Sequence, residues 1–471
     1  MSNGAEGKQL YHPAQAKREG FTTTFGAILA TLGSAVGLGN IWKFPYLTGE
    51  NGGAAFLITY IICVFFIGLP VMISEFIIGR KARSNAVGSY RKLSPGTAWM
   101  SAGWMGVTAA FLIMAFYTDV AGWVYSYVFK SAIGGLSGLN AAGTEAAFGN
   151  LVGSTVTPLI WQWIVLITIA MIIMAGVQKG IERMTRTLLP ILFVLLLICD
   201  VRALTLPGAF EGLNFLFKPD FSKVTGAVIL SAMGLAFFKL SVGMGTMTTY
   251  GSYMGDEDNI TTTAVKVALS DTLVSILAGI AIFPAVFAFG QQPGAGTGLL
   301  FSTIPLVFNS MPFGSVILVL FFVLTAIAAT GAMISLLEVP VAFFIEERKW
   351  ARNKATIISI LIMGGMGVLA TLSTSVLAKT MVVGKTWFDL FDFASSNVLL
   401  PLGGLIICLF VGWKLGPQVI YQEASNNGTL GNASFLKVFT FVIRYIAPLA
   451  IIIVFLNSLG ILTPLLKLLG L

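Results

Sequence analysis

The chain has 471 residues, of which 56% are hydrophobic and 10% are charged, and its mean hydropathy is +0.89. A soluble domain carries roughly a quarter charged residues, so this composition excludes a soluble enzyme, a secreted disulfide scaffold and a disordered protein. The net charge of +8 does not indicate nucleic-acid binding, because the basic residues lie in short loops between apolar segments. The composition predicts an all-α polytopic protein embedded in a lipid bilayer.

The apolar segments predict the number of membrane spans. A hydrocarbon core of ~30 Å requires about 20 helical residues to cross it. The sequence contains about eleven segments that meet this criterion. They lie near residues 22–46, 55–79, 101–129, 158–176, 186–206, 224–254, 260–290, 313–345, 354–376, 387–413 and 434–465.

Lysine and arginine residues predict the orientation of these spans. They are concentrated in alternate loops, at residues 80–92, 179–186 and 348–354. Because cytoplasmic loops carry the excess of positive charge, we expect the N-terminus in the cytoplasm and a multi-pass protein of the plasma membrane. The single histidine, His12, lies in the polar N-terminal tail, so no histidine-based metal site or Ser–His catalysis is expected within the membrane. No enzymatic activity and no cofactor are predicted.

Two spans carry paired glycines in mid-membrane. Residues 36–39 read Val-Gly-Leu-Gly in the first span, and residues 242–245 read Val-Gly-Met-Gly in the sixth. Glycine disfavours a helix interior by about 1 kcal/mol relative to alanine, so both spans are predicted to be broken. Unwound backbone inside a membrane must line a cavity, and broken helices at matching positions of two halves indicate the binding site of a transporter.

Further motifs occur around these breaks. Residues 34–45 read Ser-Ala-Val-Gly-Leu-Gly-Asn-Ile-Trp-Lys-Phe-Pro. In chain order there follow Glu-Asn-Gly-Gly at 50–53, Gly-Leu-Pro at 68–70, Gly-Ile-Glu-Arg at 180–183, Gly-Leu-Asn-Phe at 212–215, Ser-Leu-Leu-Glu-Val-Pro at 335–340 and Pro-Leu-Gly-Gly at 401–404. Together they resemble the neurotransmitter:sodium symporter family, in its bacterial amino-acid branch, over about residues 16–465.

This resemblance implies the leucine-transporter-type fold, with two inverted five-helix repeats in which helices 1 and 6 are broken. It divides the chain into a cytoplasmic tail (1–20), a first repeat (21–206), a second repeat (207–413) and a loop with the last span (414–471). It also implies secondary active transport of an amino acid by alternating access. The sequence leaves the oligomeric state open.

The resemblance implies a substrate site shared by spans one, three, six and eight. Backbone amides of Leu38 and Gly39 would bind a substrate carboxylate at a half-helix N-terminus, and the Tyr117 hydroxyl would donate to the same group. Gly37 stands where amine-transporting relatives carry an aspartate, so we expect a neutral amino acid with its own carboxylate. The remaining implied substrate contacts are Ala35, Ile113, Phe238, Lys239, Ser241, Met244, Ser335 and Leu336.

The first cation site departs from the family pattern. The family uses a carbonyl at Ala35, an asparagine at Asn40, a threonine in span six and an asparagine in span seven. Counting along the motifs places Lys239 at the span-six position and Ser270 at the span-seven position. Because an ammonium and Na⁺ cannot share one site, Lys239 would act as a tethered cation. Its protonation would either couple transport to protons or provide a permanent surrogate cation for exchange, with Asp271 as its expected partner in a proton relay.

The second cation site has also lost ligands. Gly331 and Ala332 occupy the positions of the family's threonine–serine pair, and Thr330 is one residue out of register. The remaining implied ligands are the carbonyls of Gly33, Val36 and Ala328. We therefore expect no tight Na⁺ binding, and transport that is independent of Na⁺ and coupled either to protons or to exchange. The alternatives are a conventional Na⁺ symporter with one remaining Na⁺ site and a non-transporting membrane receptor.

The resemblance also implies gates made of charged pairs at the two ends of the molecule. Lys43 and Asp392 form the outer pair, in which lysine replaces the family's usual arginine and lacks its bidentate fork. Arg18 and Glu346 form the inner pair, with Tyr253 nearby.

Two acids within the spans complete the predictions. Glu75 is expected to support the unwound part of span six. Asp119 lies in span three, where the family has no fixed acid.

Overall fold

The computed structural model describes residues 19–293, 298–458 and 461. Within this part of the chain the secondary structure is helical, apart from an isolated bridge between Val382 and Lys385. Among the described residues, nine helices are long and apolar enough to cross a membrane. They are α2 (Ala54–Ala82), α3 (Met100–Ala132), α4 (Thr157–Met174), α5 (Val177–Leu204), α7 (Ile260–Ala288), α8 (Gly314–Arg348), α9 (Arg352–Leu372), α10 (Trp387–Ala424) and α11 (Ala433–Leu456).

Two further spans are broken helices. The first consists of α1a (Thr24–Ala35) and α1b (Gly39–Glu50), whose axes differ by 46°. The sixth consists of α6a (Gly226–Lys239) and α6b (Thr246–Gly251), separated by residues 240–245. The prediction of a polytopic all-α protein with broken helices 1 and 6 is therefore confirmed.

The break in the sixth span follows from its backbone angles. Ser241, Gly243 and Gly245 have φ values of +52°, +80° and +76°, in a region that favours glycine. A side-chain carbon added at Gly243 would lie 2.6 Å from the carbonyl oxygen of Leu400 in α10. Glycine at position 243 therefore allows both the turn and the close approach of α10.

The backbone groups released by this break are held by Glu75 of α2. Its carboxylate accepts hydrogen bonds from the Gly243 amide (2.6 Å), the Thr248 amide (3.0 Å) and the Thr248 hydroxyl (3.0 Å). Glu75 is fully buried, and buried backbone N–H groups require partners. The prediction that Glu75 supports the unwound part of span six is confirmed.

The two breaks lie side by side. The Ser241 hydroxyl, in the break of the sixth span, donates to the carbonyl oxygen of Ser34 near the end of α1a at 2.9 Å. Helices α3 and α8 close the space around them, since Tyr117 contacts the Leu38 amide and Ser335 contacts the Ser34 hydroxyl. The fold thus brings spans one, three, six and eight to one point in the interior.

Candidate substrate and cation site

A cavity of about 20 Å³ lies between the two breaks. All predicted substrate residues except Leu38 and Ser335 line it. The lining residues are Ser34, Ala35, Gly37, Gly39, Ile113, Tyr117, Phe238, Lys239, Ser241, Met244, Ala332 and Leu336. This volume accommodates about one water molecule, so a bound amino acid requires the lining side chains to move apart.

One end of the cavity presents groups suited to a carboxylate. The Leu38 amide, at the start of α1b, donates to the Tyr117 hydroxyl oxygen at 2.8 Å. Because that oxygen accepts, its hydrogen is free to donate to a third group. Leu38 and Tyr117 therefore act as one unit, in which the amide orients the hydroxyl toward an incoming anion.

Lys239 lies beside this cavity and is paired with an acid. Its ammonium is 3.2 Å from Asp271 Oδ2, and both side chains are completely buried. The ammonium also donates to the Tyr60 hydroxyl at 2.8 Å and to the Ser275 hydroxyl. These three acceptors match its three N–H donors. The ammonium is thus held by protein groups.

The acid is as well supported as the ammonium. Tyr60 donates to Asp271 Oδ2 at 3.0 Å, and the side-chain amide of Asn40 donates to Asp271 Oδ1 at 2.7 Å. The same amide nitrogen faces the Ser275 hydroxyl at 3.2 Å, while the amide oxygen accepts from the Gly37 amide at 3.1 Å. Asn40 therefore presents hydrogen-bond donors to this site. Asn40 thus joins the same hydrogen-bonded cluster as Lys239, Asp271 and Ser275.

The residue of span seven that contacts this site is one position further along the chain than the predicted Ser270. Ser270 is half-buried, whereas Asp271 makes the contacts with Asn40 and Lys239. One residue rotates a side chain by about 100° around a helix, which turns Ser270 away from the site. The prediction of Ser270 as a site residue is corrected to Asp271, and Ser275, one turn further along the same face, joins it.

The second predicted cation site is closed by packing. A side-chain carbon added at Gly331 would lie 2.8 Å from the carbonyl oxygen of Gly33. Thr330 cannot supply a hydroxyl there, because its oxygen is 2.7 Å from the Tyr125 hydroxyl and it donates to the Ala326 carbonyl at 2.7 Å. Ala332 lines the substrate cavity instead. Of positions 330–332, only Thr330 carries a side-chain oxygen, and that oxygen is held by Tyr125 and Ala326.

The predicted carbonyl ligands of that site are all in the core. They are Gly33, Val36 and Ala328, each of them buried, with Ala35 of the first site buried as well. Carbonyls alone leave a Na⁺ site short of hard oxygen ligands.

This close packing predicts the effect of adding a methyl group. Gly331→Ala is expected to destabilise the protein by roughly 1–3 kcal/mol, because a backbone oxygen must move to make room. Gly365→Ala in α9 is the matched control, since a side-chain carbon at Gly365 meets nothing within 4 Å. Thermal unfolding of the purified protein should show a lower midpoint for the first variant only. Equal midpoints would mean that the space beside Gly33 is open.

One end of the cavity is closed by the predicted Lys43–Asp392 pair. The Lys43 ammonium is 2.9 Å and 3.2 Å from the two carboxylate oxygens of Asp392, and Oδ1 of Asp392 also accepts from the Ser396 hydroxyl at 2.7 Å. The ammonium lies 4.6 Å from the centre of the Phe238 ring, directly above the cavity. We call this end the Asp392 side.

The opposite end is closed by contacts that include the predicted Tyr253. Glu338 of α8 accepts from the Tyr253 hydroxyl at 2.6 Å and from both terminal nitrogens of Arg352 at 2.8 Å and 3.0 Å. Arg352 is also 3.2 Å from Glu19. We call this end the Glu338 side. Closed pairs at both ends describe an occluded conformation.

The predicted inner pair is seen only in part. Arg18 and His12 lie outside the described residues. Glu346 accepts hydrogen bonds from the Ser84 hydroxyl at 2.9 Å and from the Asn85 amide at 2.7 Å, which tie the end of α8 to the loop after α2.

Several functional residues were not predicted from the sequence. Tyr60 and Ser275 complete the surroundings of Lys239, and Arg352 completes the closure on the Glu338 side. Ser275 was predictable once Asp271 was placed, because residues four apart share a helix face. Tyr60 and Arg352 gave no comparable signal, since each contacts a residue that is distant in sequence.

Comparison with known proteins agrees with this geometry. The model of the family described as "Sodium:neurotransmitter symporter family" matches residues 18–140 and 149–467. The uncharacterized sodium-dependent transporter YhdH of Bacillus subtilis (strain 168) is 42% identical over 443 residues, which cover 94% of this chain and 98% of that protein. The sodium- and chloride-dependent taurine transporter of Rattus norvegicus is 26% identical over 466 residues, which cover 86% of this chain and 73% of that protein.

A solved structure shows the same architecture. The crystal structure of MhsT in complex with L-phenylalanine is 45% identical in sequence, with a TM-score of 0.89, and the match covers 94% of this chain and 100% of that chain. The broken helices and the cavity between them thus occur in a fold already known from transport. This multi-pass membrane chain belongs to the sodium:neurotransmitter symporter family, whose members are transporters of small molecules and not enzymes.

Proposed function

We propose that this protein transports a neutral amino acid across the plasma membrane without requiring Na⁺. The observation that carries the proposal is the buried pair of Lys239 and Asp271, 3.2 Å apart. The Lys239 ammonium of this pair replaces the Na⁺ of the first cation site. The second cation site, with Gly331 against the Gly33 carbonyl, offers no replacement.

The pair supplies the electrostatic role of a bound cation without a soluble ion. A cation near mid-membrane stabilises a substrate carboxylate, but a lone charge there costs about 2.5–3.5 kcal/mol or more. Asp271, Tyr60 and Ser275 offset that cost in the empty carrier. The carrier therefore keeps its cation in every step of the cycle.

The cavity favours a large apolar substrate. Ile113, Phe238, Met244 and Leu336 surround the space beside the carboxylate-binding groups. Methionine and leucine side chains adapt to different apolar partners. Since L-phenylalanine is bound by MhsT, we take it as the first candidate, with other large neutral amino acids next.

The two closed ends define the transport cycle. By the excess of basic residues in alternate loops, the N-terminus and the Glu338 side face the cytoplasm, and the Asp392 side faces outward. Opening of the Lys43–Asp392 pair admits substrate, and opening of the contacts among Glu338, Tyr253 and Arg352 releases it. Because Na⁺ is not used, the energy comes from a proton gradient or from exchange.

Uptake of labelled L-phenylalanine into proteoliposomes tests the proposal. Uptake in Na⁺-free potassium buffer is expected to match uptake in Na⁺ buffer, and Tyr117→Phe is expected to weaken it in both, because the hydroxyl that meets the carboxylate is removed. Loss of uptake on removing Na⁺ would show a conventional symporter with one remaining Na⁺ site. Saturable binding without uptake would show a receptor. A thermal-stability screen of the twenty amino acids identifies the substrate.

A further inference from the structure

Helix α3 carries a buried carboxyl group that the substrate site does not use. Asp119 is 1% exposed, and neither of its side-chain oxygens has a hydrogen-bond partner among the described residues. The other buried acids near the transport path are well supported. Asp271 is paired with Lys239, Glu338 is paired with Arg352, and Glu75 accepts three hydrogen bonds.

Two polar groups face this carboxyl. They are the indole N–H of Trp123, one turn further along α3, and the hydroxyl of Thr371 in α9. Each is itself buried without a hydrogen-bond partner in the described part of the chain. On the side of α4, the Gln162 amide nitrogen donates to Thr118 at 3.2 Å. In the described ranges, no lysine, arginine or second acid forms an ion pair with Asp119 or interacts with it electrostatically.

These neighbours suit a neutral carboxylic acid. A protonated carboxyl has one donor and one acceptor, so it can donate to Thr371 and accept from Trp123. After loss of the proton, the threonine hydroxyl can turn round and donate, which gives the carboxylate two neutral donors. Two neutral donors do not offset the several kcal/mol needed to bury an unpaired charge. The ionised form therefore requires a conformation in which water reaches the site.

The carboxyl is connected to the closure on the Asp392 side. The Trp123 ring stacks on Phe388 with centroids 6.2 Å apart and an angle of 10°, and Phe388 lies in the first turn of α10, which carries Asp392. Phe388 also packs against Phe116, which lies one turn before Asp119. Phe116 in turn stacks on Phe238 beneath Lys43, with centroids 6.5 Å apart. Aromatic contacts thus connect the surroundings of Asp119 to both components of this closure.

We infer that Asp119 binds the transported proton, and that its protonation favours closure on the Asp392 side. This inference rests on the proposed Na⁺-independent transport and names its coupling site. The Lys239 ammonium is not the coupling site, because its three N–H groups are held by Asp271, Tyr60 and Ser275. Asp119 faces only the neutral Trp123 and Thr371 groups and has no ion-pair partner among the described residues, so its proton can be exchanged when this side opens.

Proton binding by the purified protein tests the inference. L-Phenylalanine is added in weakly buffered, Na⁺-free solution, and the pH is followed with an indicator dye. Wild-type protein is expected to take up about one proton per substrate bound, and Asp119→Asn is expected to take up none. Asp200→Asn is the matched control, since Asp200 is a buried acid of α5 that also lacks a hydrogen-bond partner in the described residues. It should retain the wild-type proton count.

Transport supplies a second measurement. Asp119→Asn is expected to keep exchange of labelled for unlabelled L-phenylalanine and to lose accumulation driven by an imposed pH gradient. An unchanged proton count or unchanged gradient-driven accumulation in this variant would overturn the inference.

If wild-type uptake is Na⁺-independent but takes up no proton, the inference fails while the proposed transport by exchange stands. If wild-type uptake requires Na⁺, the proposed function itself fails. Should Asp119→Asn not fold, the wild-type proton count and Asp119→Glu, which keeps a proton site, decide the matter.

Discussion

Replacing Lys239 with threonine is expected to abolish transport and to destabilise the protein by about 3–5 kcal/mol. The reason is the acid left behind, since Asp271 is completely buried and loses its only cation among the described residues. The Tyr60 and Asn40 donors that remain are neutral and do not balance its charge. Thermal unfolding and counterflow of L-phenylalanine measure the two effects.

The double variant Lys239→Thr with Asp271→Asn separates charge pairing from the loss of the ammonium itself. With both charges removed, most of the lost stability should return, because no unpaired charge is buried. The two new side chains also match the threonine and asparagine that the family places in its first cation site. We therefore expect the double variant to respond to Na⁺, with L-phenylalanine binding that rises with Na⁺ concentration.

Ser270→Ala is the control for this pair of substitutions. Ser270 neighbours Asp271 in sequence but is half-buried on another face of α7, so its loss should change neither stability nor transport by a measurable amount. A stable, fully active Lys239→Thr variant would contradict the role given to the ammonium. A double variant no more stable than the single one would contradict the pairing.

Much of the fold was predictable because it depends on local chemistry. Continuous apolar segments of about 20 residues indicate membrane-spanning helices. Paired glycines at 37 and 39 and at 243 and 245 mark the two breaks. The role of Glu75 came from the family resemblance, and its physical reason is that released backbone amides need an acceptor. These features follow from the need to satisfy the backbone in lipid.

The side-chain arrangement around Lys239 was predicted only in part. The pairing with Asp271 follows from placing a buried ammonium near the sole acid of span seven. The choice of Ser270 was wrong, because counting from motifs fixes a position along a helix but not the angle at which it faces a neighbour. An error of one residue is an error of about 100°. Contacts such as Tyr60 with Lys239, which are 179 positions apart, depend on helix packing and leave no local pattern.

The closure on the Glu338 side shows the same limit. Arg352 and Glu338 are 14 residues apart on two successive helices, and they meet because the turn between α8 and α9 brings the two helices together. The sequence placed Arg352 in a basic loop and Glu338 in a motif of the eighth span, but it gave no reason to pair them. The charged residues can be read from the sequence, whereas the pairing between them depends on tertiary structure.

Replacing Glu75 with leucine is expected to be about as damaging as the loss of Lys239. The buried amides of Gly243 and Thr248 and the Thr248 hydroxyl would lose their acceptor. Each buried donor left without a partner costs about 1–3 kcal/mol, so the sixth span would no longer hold its broken conformation. Both unfolding temperature and binding of L-phenylalanine should fall sharply, because residues 240–245 shape the substrate cavity.

Milder substitutions at Glu75 and Thr248 test whether this loss of stability and binding comes from the hydrogen bonds. Glu75→Gln keeps one acceptor oxygen but turns an N–H group toward donors, so its effect should be smaller than that of Glu75→Leu and still clear. Thr248→Val removes one donor and is expected to cost about 1 kcal/mol, whereas Thr248→Ser keeps the hydroxyl and should behave as wild type. If Glu75→Leu unfolds no earlier than Thr248→Val, the break is held by packing against α10 at Leu400 and not by the carboxylate. If the loss of stability instead increases from Thr248→Ser through Thr248→Val and Glu75→Gln to Glu75→Leu, the broken helix and the cavity depend on the buried acid Glu75.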